Sequence, residues 1–434
     1  MSANGLLRST LVAMTIPATI ALSGCIFEDP QHDPSGLAIG APAENQSFDD
    51  YVQKTREQLR TALKAKRFDK EAAPFGQYDL DQVVAMRAPF ASGPNKAACD
   101  AAGNDTAHGK DVGFLMVHGL TDSPFLMTDV RDTLQSKFPC ATFHGLLLPG
   151  HGTVPGDLVD VSYEDWIKTV RYGMDGFANG TDHVITIGYS MGAALIGREF
   201  DARRRDPRMT AMVLLSPGFA AKSDQAWLTP YARYVQSWVG KGENSDAAKY
   251  GSMAMNAAAE FHLLTEPYRD GTMDTFDIPV FMVASSDDHT VDPLLAADFF
   301  CNKVTNDNKR LIWYQGEEHL IDEHPLCEGV DIVKSAAPDW RTLNHAHTAI
   351  TMHPDNKHYG MDGIIRRCDH YDEQSANSKC QTSSDAVYGE LNLSDSASPG
   401  SLRRGTFNPD FVSMLDKMTH FIEVSLEVPG KTAN

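Results

Sequence analysis

Apolar runs alternate with segments of helical period along the middle of this chain. Continuous apolar runs predict strands buried on both faces, and they fall at residues 83–90, 113–119, 140–150, 183–188, 211–219 and 279–286. Segments of helical period occupy residues 48–66, 129–138, 163–177, 190–204 and 407–426. This alternation predicts an α/β fold, with a mostly parallel central sheet and helices on both faces.

About residues 220–277 interrupt the alternation and predict a helical cap insertion. Within them, Trp227, Tyr231, Tyr234 and Trp238 recur at helical spacing. Two interpretations stay open: the aromatic face packs in the core of the insertion, or it lines an apolar substrate pocket. Farther on, residues 372–400 are rich in Ser, Asn and Asp and predict a surface loop.

The N-terminal residues predict an exported protein. Arg8 is the only charged residue before Glu28, and the apolar stretch LVAMTIPATIAL follows it. A stretch of this length is typical of a signal peptide and is short for a membrane span. A signal peptide over residues 1–24 would precede a mobile tether over residues 25–46 and a single domain over residues 47–434.

The sequence Leu-Ser-Gly-Cys at the end of the apolar stretch resembles the lipobox of bacterial lipoproteins. The resemblance implies cleavage before Cys25 and lipidation of its thiol. Because Ile26 and not Asp follows the cysteine, it implies a cell-envelope lipoprotein sorted to the outer membrane, with its domain in the periplasm or at the surface. A plain secretory peptide with a chance cysteine is the alternative.

Charge and cysteine content bear on the partners of the protein and on its compartment. The net charge of −20 disfavours a nucleic-acid partner. Six cysteines remain after Cys25, and an even number in an exported protein indicates disulfides. Pairing between neighbours in the sequence is our expectation: Cys99–Cys140, Cys301–Cys327 and Cys368–Cys380.

The candidate chemistry centres on the sequence Gly-Tyr-Ser-Met-Gly, which follows the strand VITI directly. Glycines on both sides of Ser190 suit a sharp strand-to-helix turn that exposes a nucleophile. The backbone N–H of Met191 would then face a developing oxyanion. The loop His-Gly-Leu after an earlier strand predicts Leu120 as the second donor.

These motifs together resemble a known superfamily. The segments LMVHGLTDSPF, LPGHGTVPGDL and GYSMG are similar to the α/β-hydrolase superfamily, on the branch of monoacylglycerol lipases, lysophospholipases and bacterial carboxylesterases. The similarity covers roughly residues 110–300 well and the remainder to about residue 425 more thinly. It implies the α/β-hydrolase fold and serine hydrolase chemistry.

The superfamily pattern implies an acid within VASSDDHTVDP. Asp288 matches the family spacing to the following Val and Pro. Asp287 is the fallback, and Asp292 is better placed to cap the next helix. This carboxylate would orient a histidine and stabilise its charged form.

The histidine must follow Asp288 in the chain. His319 is attractive because it closely follows an apolar run. His347 lies in Ala-His-Thr ahead of Pro-Asp-Asn and Tyr-Gly, which resembles a subgroup with a Ser-His-Thr-like triplet at the catalytic histidine. This chain has Ala where that subgroup has Ser. We favour His347 and keep His319 as the alternative.

The resulting expectation is a serine hydrolase that cleaves monoacylglycerol, lysophospholipid or a similar acyl ester through an acyl-enzyme on Ser190. Its partners would be a lipid or small-molecule ester and, through the lipid anchor, a membrane. No cofactor is implied, and the histidines between residues 345 and 370 lack metal-ligand spacing. A catalytically inactive lipoprotein that binds a ligand or an envelope partner is the alternative.

Overall fold

The computed structural model describes residues 29–177, 180–200, 206–316, 327–390 and 398–427. The signal peptide, Cys25 and His319 lie outside the described residues. Eight strands form the central sheet: β1 (Phe90–Ser92), β2 (Val112–Val117), β3 (Thr142–Leu146), β4 (His183–Tyr189), β5 (Met209–Leu215), β8 (Val280–Ser285), β9 (Lys309–Gln315) and β10 (Val330–Lys334). Their order is β1-β3-β2-β4-β5-β8-β9-β10, and in this sheet β1 alone pairs antiparallel with its neighbour. The predicted mostly parallel sheet is confirmed.

Helices cover both faces of the sheet, which is why its strands are continuously apolar. Leu115 of β2 packs in one core cluster, and its neighbour Phe114 packs in the cluster on the other face. The helices in chain order are α1 (Phe48–Leu63), α2 (Leu80–Arg87), α3 (Lys96–Ala102), α4 (Thr128–Lys137), α5 (Tyr163–Asp175), α6 (Met191–Glu199), α7 (Thr229–Ala232), α8 (Met255–Leu264), α9 (Glu266–Arg269), α10 (Pro293–Lys303), α11 (Gln374–Thr382) and α12 (Phe411–Glu427). Helices α5, α6 and α10 supply the first cluster, and α4 and α12 supply the second.

The predicted strand over residues 83–90 is wrong for most of its length. Residues 83–87 belong to α2, and only β1 beyond them is extended. A capping box begins this helix: the Asp79 side chain accepts from the N–H of Gln82, and the Gln82 side chain accepts from the N–H of Asp79. The helix start therefore outweighs the strand preference of the two valines that follow it.

The residues between β5 and β8 form helices α7, α8 and α9 and a hairpin of β6 (Trp238–Gly240) and β7 (Met253–Ala254). Most of the aromatic residues at helical spacing in this segment neither pack in a core nor line the pocket, so both interpretations are wrong for them. Trp227, Tyr231 and Tyr234 are 58%, 71% and 78% exposed. The reason is the register of the segment around α7, which turns the smaller residues Leu228, Thr229 and Ala232 toward the cavity. Trp238 instead packs at the edge of the core, with its ring 4.7 Å from that of His32.

The C-terminal segment adds a small substructure beside the sheet. Residues 372–400 are not a plain loop, because they contain α11 and the strand β11 (Val387–Gly389), which pairs in parallel with β12 (Leu402–Arg404). Helix α12 then returns to the second core cluster, as its period predicted.

All three predicted cysteine pairs are confirmed as disulfides: Cys99–Cys140, Cys301–Cys327 and Cys368–Cys380. Disulfides persist in oxidising compartments, so they indicate an extracytoplasmic location. Among the described residues, no helix has the length and apolar character that crossing a bilayer requires.

Candidate active site

Ser190 stands on a strained turn between β4 and α6. Its backbone has φ 55° and ψ −120°, a conformation that non-glycine residues rarely adopt. A Cβ on Gly188 would lie 2.5 Å from the backbone nitrogen of Ala193, and a Cβ on Gly192 would lie 2.1 Å from the carbonyl oxygen of Val117. Both glycines are therefore required for helix α6 to turn back tightly against the sheet, which leaves the serine side chain at the apex.

His347 joins Ser190 to Asp288. Its Nε2 lies 3.0 Å from Ser190 Oγ, and its Nδ1 lies 2.5 Å from Asp288 Oδ2. All three residues are less than 9% exposed. With Nδ1–H donating to the carboxylate, Nε2 is the free acceptor for the serine proton. The structure thus brings together the three residues that the sequence proposed, in the arrangement of a nucleophile, a base and its orienting acid.

The acid is fixed by its own loop. Asp288 Oδ1 accepts hydrogen bonds from the N–H groups of Thr290 and Val291 at 2.8 and 2.9 Å, which leaves Oδ2 for the histidine. Asp292 instead accepts from the N–H groups of the first turn of α10, so its predicted capping role is confirmed. The His347 ring contacts the carboxylate of Asp288 and not that of Asp287 or Asp292.

The two predicted oxyanion donors flank the serine. Met191 is the first residue of α6, and Leu120 lies in the loop after β2. Within the described part of the chain, neither backbone N–H has a hydrogen-bond acceptor. Leu120, Ser190 and His347 line the same cavity. A substrate carbonyl oxygen at this point could receive both donors.

Two buried histidines hold the Leu120 loop. The N–H of Leu148 donates to His118 Nε2 at 3.1 Å, and the N–H of Thr121 donates to His151 Nε2 at 3.1 Å. Both imidazoles must be neutral to accept these bonds. Burial lowers the pKa of His118 to about 4 and that of His151 to about 3, which keeps them neutral near pH 7.

A cavity of about 620 Å³ opens above Ser190. The cap contributes apolar residues to its lining, which include Ala226, Leu228, Ala232, Val239, Met253, Met255 and Phe261, and also polar ones, which include Ser223, Gln225, Thr229, Gln236, Ser252 and His262. The Asp, Lys and Arg residues of the lining are Asp122, Lys249, Arg367 and Arg404. The volume is that of a site for a small or drug-sized molecule.

Sequence reasoning missed the residues that hold His347 in place. Tyr189 Oη donates to the carbonyl oxygen of His347 at 3.1 Å, and Glu390 Oε2 accepts from its N–H at 3.1 Å. Arg404 binds both oxygens of Glu390 and also Thr290 Oγ1 at 2.6 Å. These contacts connect the histidine loop with the acid loop. Only the fold could reveal them, because Glu390 and Arg404 lie in a polar stretch without a motif.

The neighbouring histidines are engaged elsewhere. His345 stacks on Tyr314 with ring centroids 3.9 Å apart. His358 Nε2 lies 2.8 Å from Asp246 Oδ1, and the backbone N–H of His353 donates to Asp129. Among the described histidines, the one that contacts Ser190 is therefore His347.

Comparison with known proteins agrees with this architecture. A model of the alpha/beta hydrolase family matches residues 114–343, more than half of the chain. This protein therefore belongs to the alpha/beta hydrolase family. The match ends before His347, so the histidine segment lies beyond it.

Two relatives are esterolytic by name. A carboxylesterase of Bacillus subtilis is 25% identical over 50% of this chain and 87% of its own length. A thermostable monoacylglycerol lipase of Bacillus sp. is 22% identical over 48% of this chain and 83% of its own length. A solved structure of a metagenome-derived lipolytic enzyme is 19% identical, with a TM-score of 0.43 over 52% of this chain and 87% of that one.

Proposed function

We propose that this protein is a serine esterase that cleaves carboxylic acyl esters. The observation that carries the proposal is the continuous hydrogen-bonded chain from Ser190 through His347 to Asp288 at the floor of a cavity. Carboxylesterase and monoacylglycerol lipase relatives support an ester as the bond that is cleaved.

The mechanism follows from the positions of the atoms. His347 Nε2 takes the proton of Ser190 Oγ as the oxygen attacks the ester carbonyl, and the carboxylate of Asp288 stabilises the imidazolium. The N–H groups of Met191 and Leu120 donate to the oxyanion of the tetrahedral intermediate. His347 then protonates the leaving alcohol, and water repeats the sequence on the acyl-enzyme.

The proposed substrates are monoacylglycerol, lysophospholipid or similar acyl esters, with the acyl chain against the apolar residues that the cap contributes to the cavity. We also propose lipidation of Cys25, with residues 25–46 as a tether, which would hold the cavity near a membrane. The LSGC sequence after the apolar N-terminal stretch supports this anchor.

The test is hydrolysis of p-nitrophenyl esters from acetate to palmitate by protein lacking residues 1–25. Wild type should be active, and Ser190→Ala and His347→Ala should each lose about 10⁴-fold or more in kcat. His319→Ala is the matched control and should keep its activity. Full activity in Ser190→Ala would overturn the mechanism, and a dead His319→Ala would move the base to that residue.

An inactive binding protein is the competing function. A fluorophosphonate probe separates the two, because it reacts only with an activated serine. Labelling of wild type, and none of Ser190→Ala, supports the enzyme. An unlabelled wild type that cleaves no ester leaves ligand binding as the function.

A further inference from the structure

Two arginines form one wall of the cavity. Arg367 and Arg404 both line it, and their side chains are only 17% and 15% exposed. The backbone N–H of Arg404 donates to the carbonyl oxygen of Arg367 at 3.0 Å, which holds the two residues side by side. The two residues are thus neighbours, and both side chains line the same cavity although each is mostly buried.

Each guanidinium is anchored through one edge. Arg367 Nε and Nη2 donate to the two oxygens of Asp369 at 3.1 Å, and Arg404 Nε and Nη2 donate to Glu390. Both arginines line the cavity, and neither carboxylate does. The acidic partners therefore fix the arginines in place while the cations form the surface that a substrate meets.

The other edge of each group has unused donors. In the described part of the chain, Nη1 of Arg367 and Nη1 of Arg404 have no hydrogen-bond acceptor. A guanidinium with free N–H groups is suited to bind carboxylate or phosphate oxygens. The remaining charged residues of the lining, Lys249 and Asp122, neutralise each other as an ion pair of 2.8 Å.

Arg404 is connected to the loops that carry the proposed base and acid. Arg404 reaches His347 through Glu390 and reaches the Asp288 loop through Thr290. Because His347 protonates the departing oxygen in the proposed mechanism, we place the alcohol part of the ester beside these loops, within reach of the arginines that line the same cavity. The apolar lining from the cap is then left for the acyl chain.

We infer that the preferred substrate is an ester whose alcohol part carries an anionic group, a phosphate or a carboxylate, bound by Arg367 and Arg404. This inference rests on the proposed esterase function and narrows its substrate class. The protein as a whole repels anions because its net charge is −20, and local cations in the cavity would offset this repulsion.

The experiment compares matched esters with the full-length chain in mild detergent. Butanoyl-glycerol 3-phosphate is set against butanoyl-glycerol, and O-butanoyl lactate against O-butanoyl lactamide. Wild type should favour at least one anionic member by roughly tenfold or more in kcat/KM. The pair with the larger ratio identifies phosphate or carboxylate as the group that is recognised.

Arg367→Gln tests the assignment to this wall. It should reduce the anionic-to-neutral ratio of kcat/KM by roughly tenfold, through loss of activity on the anionic esters. Arg367→Lys should keep part of the preference, because it retains the charge and loses the fork. Arg56→Gln, on the exposed face of α1, is the matched control for loss of one positive charge.

The outcomes distinguish failure of the anion site from failure of the esterase proposal. If wild type cleaves neutral and anionic esters equally, or if Arg367→Gln leaves the ratio unchanged, the anion site is refuted and the esterase stands. If wild type cleaves none of the four esters nor any p-nitrophenyl ester, the esterase proposal fails first. An Arg367→Gln protein that is inactive on both classes also counts against a specificity role.

Discussion

Glu390 Oε2 accepts a hydrogen bond from the backbone N–H of His347, although the two residues are 43 positions apart. The Glu390 side chain is 0% exposed, and Arg404 neutralises it. Its own backbone N–H donates to Asn344 Oδ1 at 2.7 Å. The position of the proposed base therefore depends on a buried ion pair from the C-terminal substructure.

Replacing Glu390 by Gln should lower kcat more than it changes KM. The amide keeps the shape but leaves the Arg404 guanidinium buried without its counter-charge, which loosens the His347 loop. Breaking a buried pair costs roughly 3–5 kcal/mol of stability, and we expect kcat for a neutral ester to fall about 10- to 100-fold. Steady-state kinetics and thermal unfolding measure the two effects.

The exposed Glu373→Gln variant on the same segment is the control, and it should resemble wild type. A lowered melting temperature with unchanged kcat would reduce Glu390 to a purely structural residue.

Asp288→Asn should lower kcat by about 10⁴-fold, because an amide in place of the carboxylate favours the wrong histidine tautomer. Asp292→Ala offers a nearby comparison: it removes the cap of α10 and should cost about 1 kcal/mol of stability with little loss of activity. Steady-state kinetics and urea unfolding of both variants measure these changes in kcat and in stability. Near wild-type kcat in Asp288→Asn would contradict the assignment of the acid.

His144 should make the protein sensitive to acid. Its ring is stacked between Phe48 and Phe177, with centroids 3.7 and 4.3 Å away, and burial lowers its pKa to about 4. The unfolded chain takes up this proton near pH 6.5. Stability is thus fully present above pH 6.5 and falls by about 1.4 kcal/mol per pH unit for this group as pH drops toward 4.

His144→Phe removes that proton-binding group and fits an aromatic stack. Its stability relative to wild type should rise steadily as pH falls from 6.5 to 4, as measured by urea unfolding at several pH values. A difference that stays constant across this range would show that His144 does not titrate on unfolding.

Removing the Cys368–Cys380 disulfide with serines should reduce both stability and activity. Opening this short loop costs roughly 3 kcal/mol, and the segment around it carries Arg367, Glu390 and Arg404. The Cys99–Cys140 disulfide closes a longer loop, so its removal should cost roughly 4 kcal/mol with kcat retained. If kcat falls equally when either disulfide is removed, the C-terminal substructure has no specific role in positioning the proposed active site.

The sequence predicted those features of the fold and the site that depend on residues close together in the chain. The glycines on both sides of Ser190 predict the turn because the turn is formed by these neighbouring residues. The buried strands are apolar regardless of which strands pair with them, so their positions could also be predicted. The strand predicted at residues 83–90 was wrong because the prediction followed its two valines, whereas the capping box, which is also visible in the sequence, starts a helix there. For the aromatic series near Trp227, the period alone could not tell which face of a short helix points outward.

Hydrogen bonds and ion pairs between residues far apart in the chain could not be predicted from the sequence pattern. Glu390 and Arg404 meet His347 and Thr290 only after the C-terminal segment folds back along the sheet. A charged residue in a polar stretch looks like any solvated residue until its partner is known. The arginine wall of the cavity was missed for the same reason.

The hydrogen bond between Ser190 and His347 spans 157 residues, and this separation sets an order of events during biogenesis. The N-terminal parts of a chain leave the ribosome first, so the nucleophile and its acid emerge well before the base and the residues that brace it. A nascent chain that has folded only through β10 therefore lacks the proposed base. Under the proposed mechanism, hydrolytic competence would arrive only with the last stage of folding, when the C-terminal substructure docks and its Cys368–Cys380 disulfide closes.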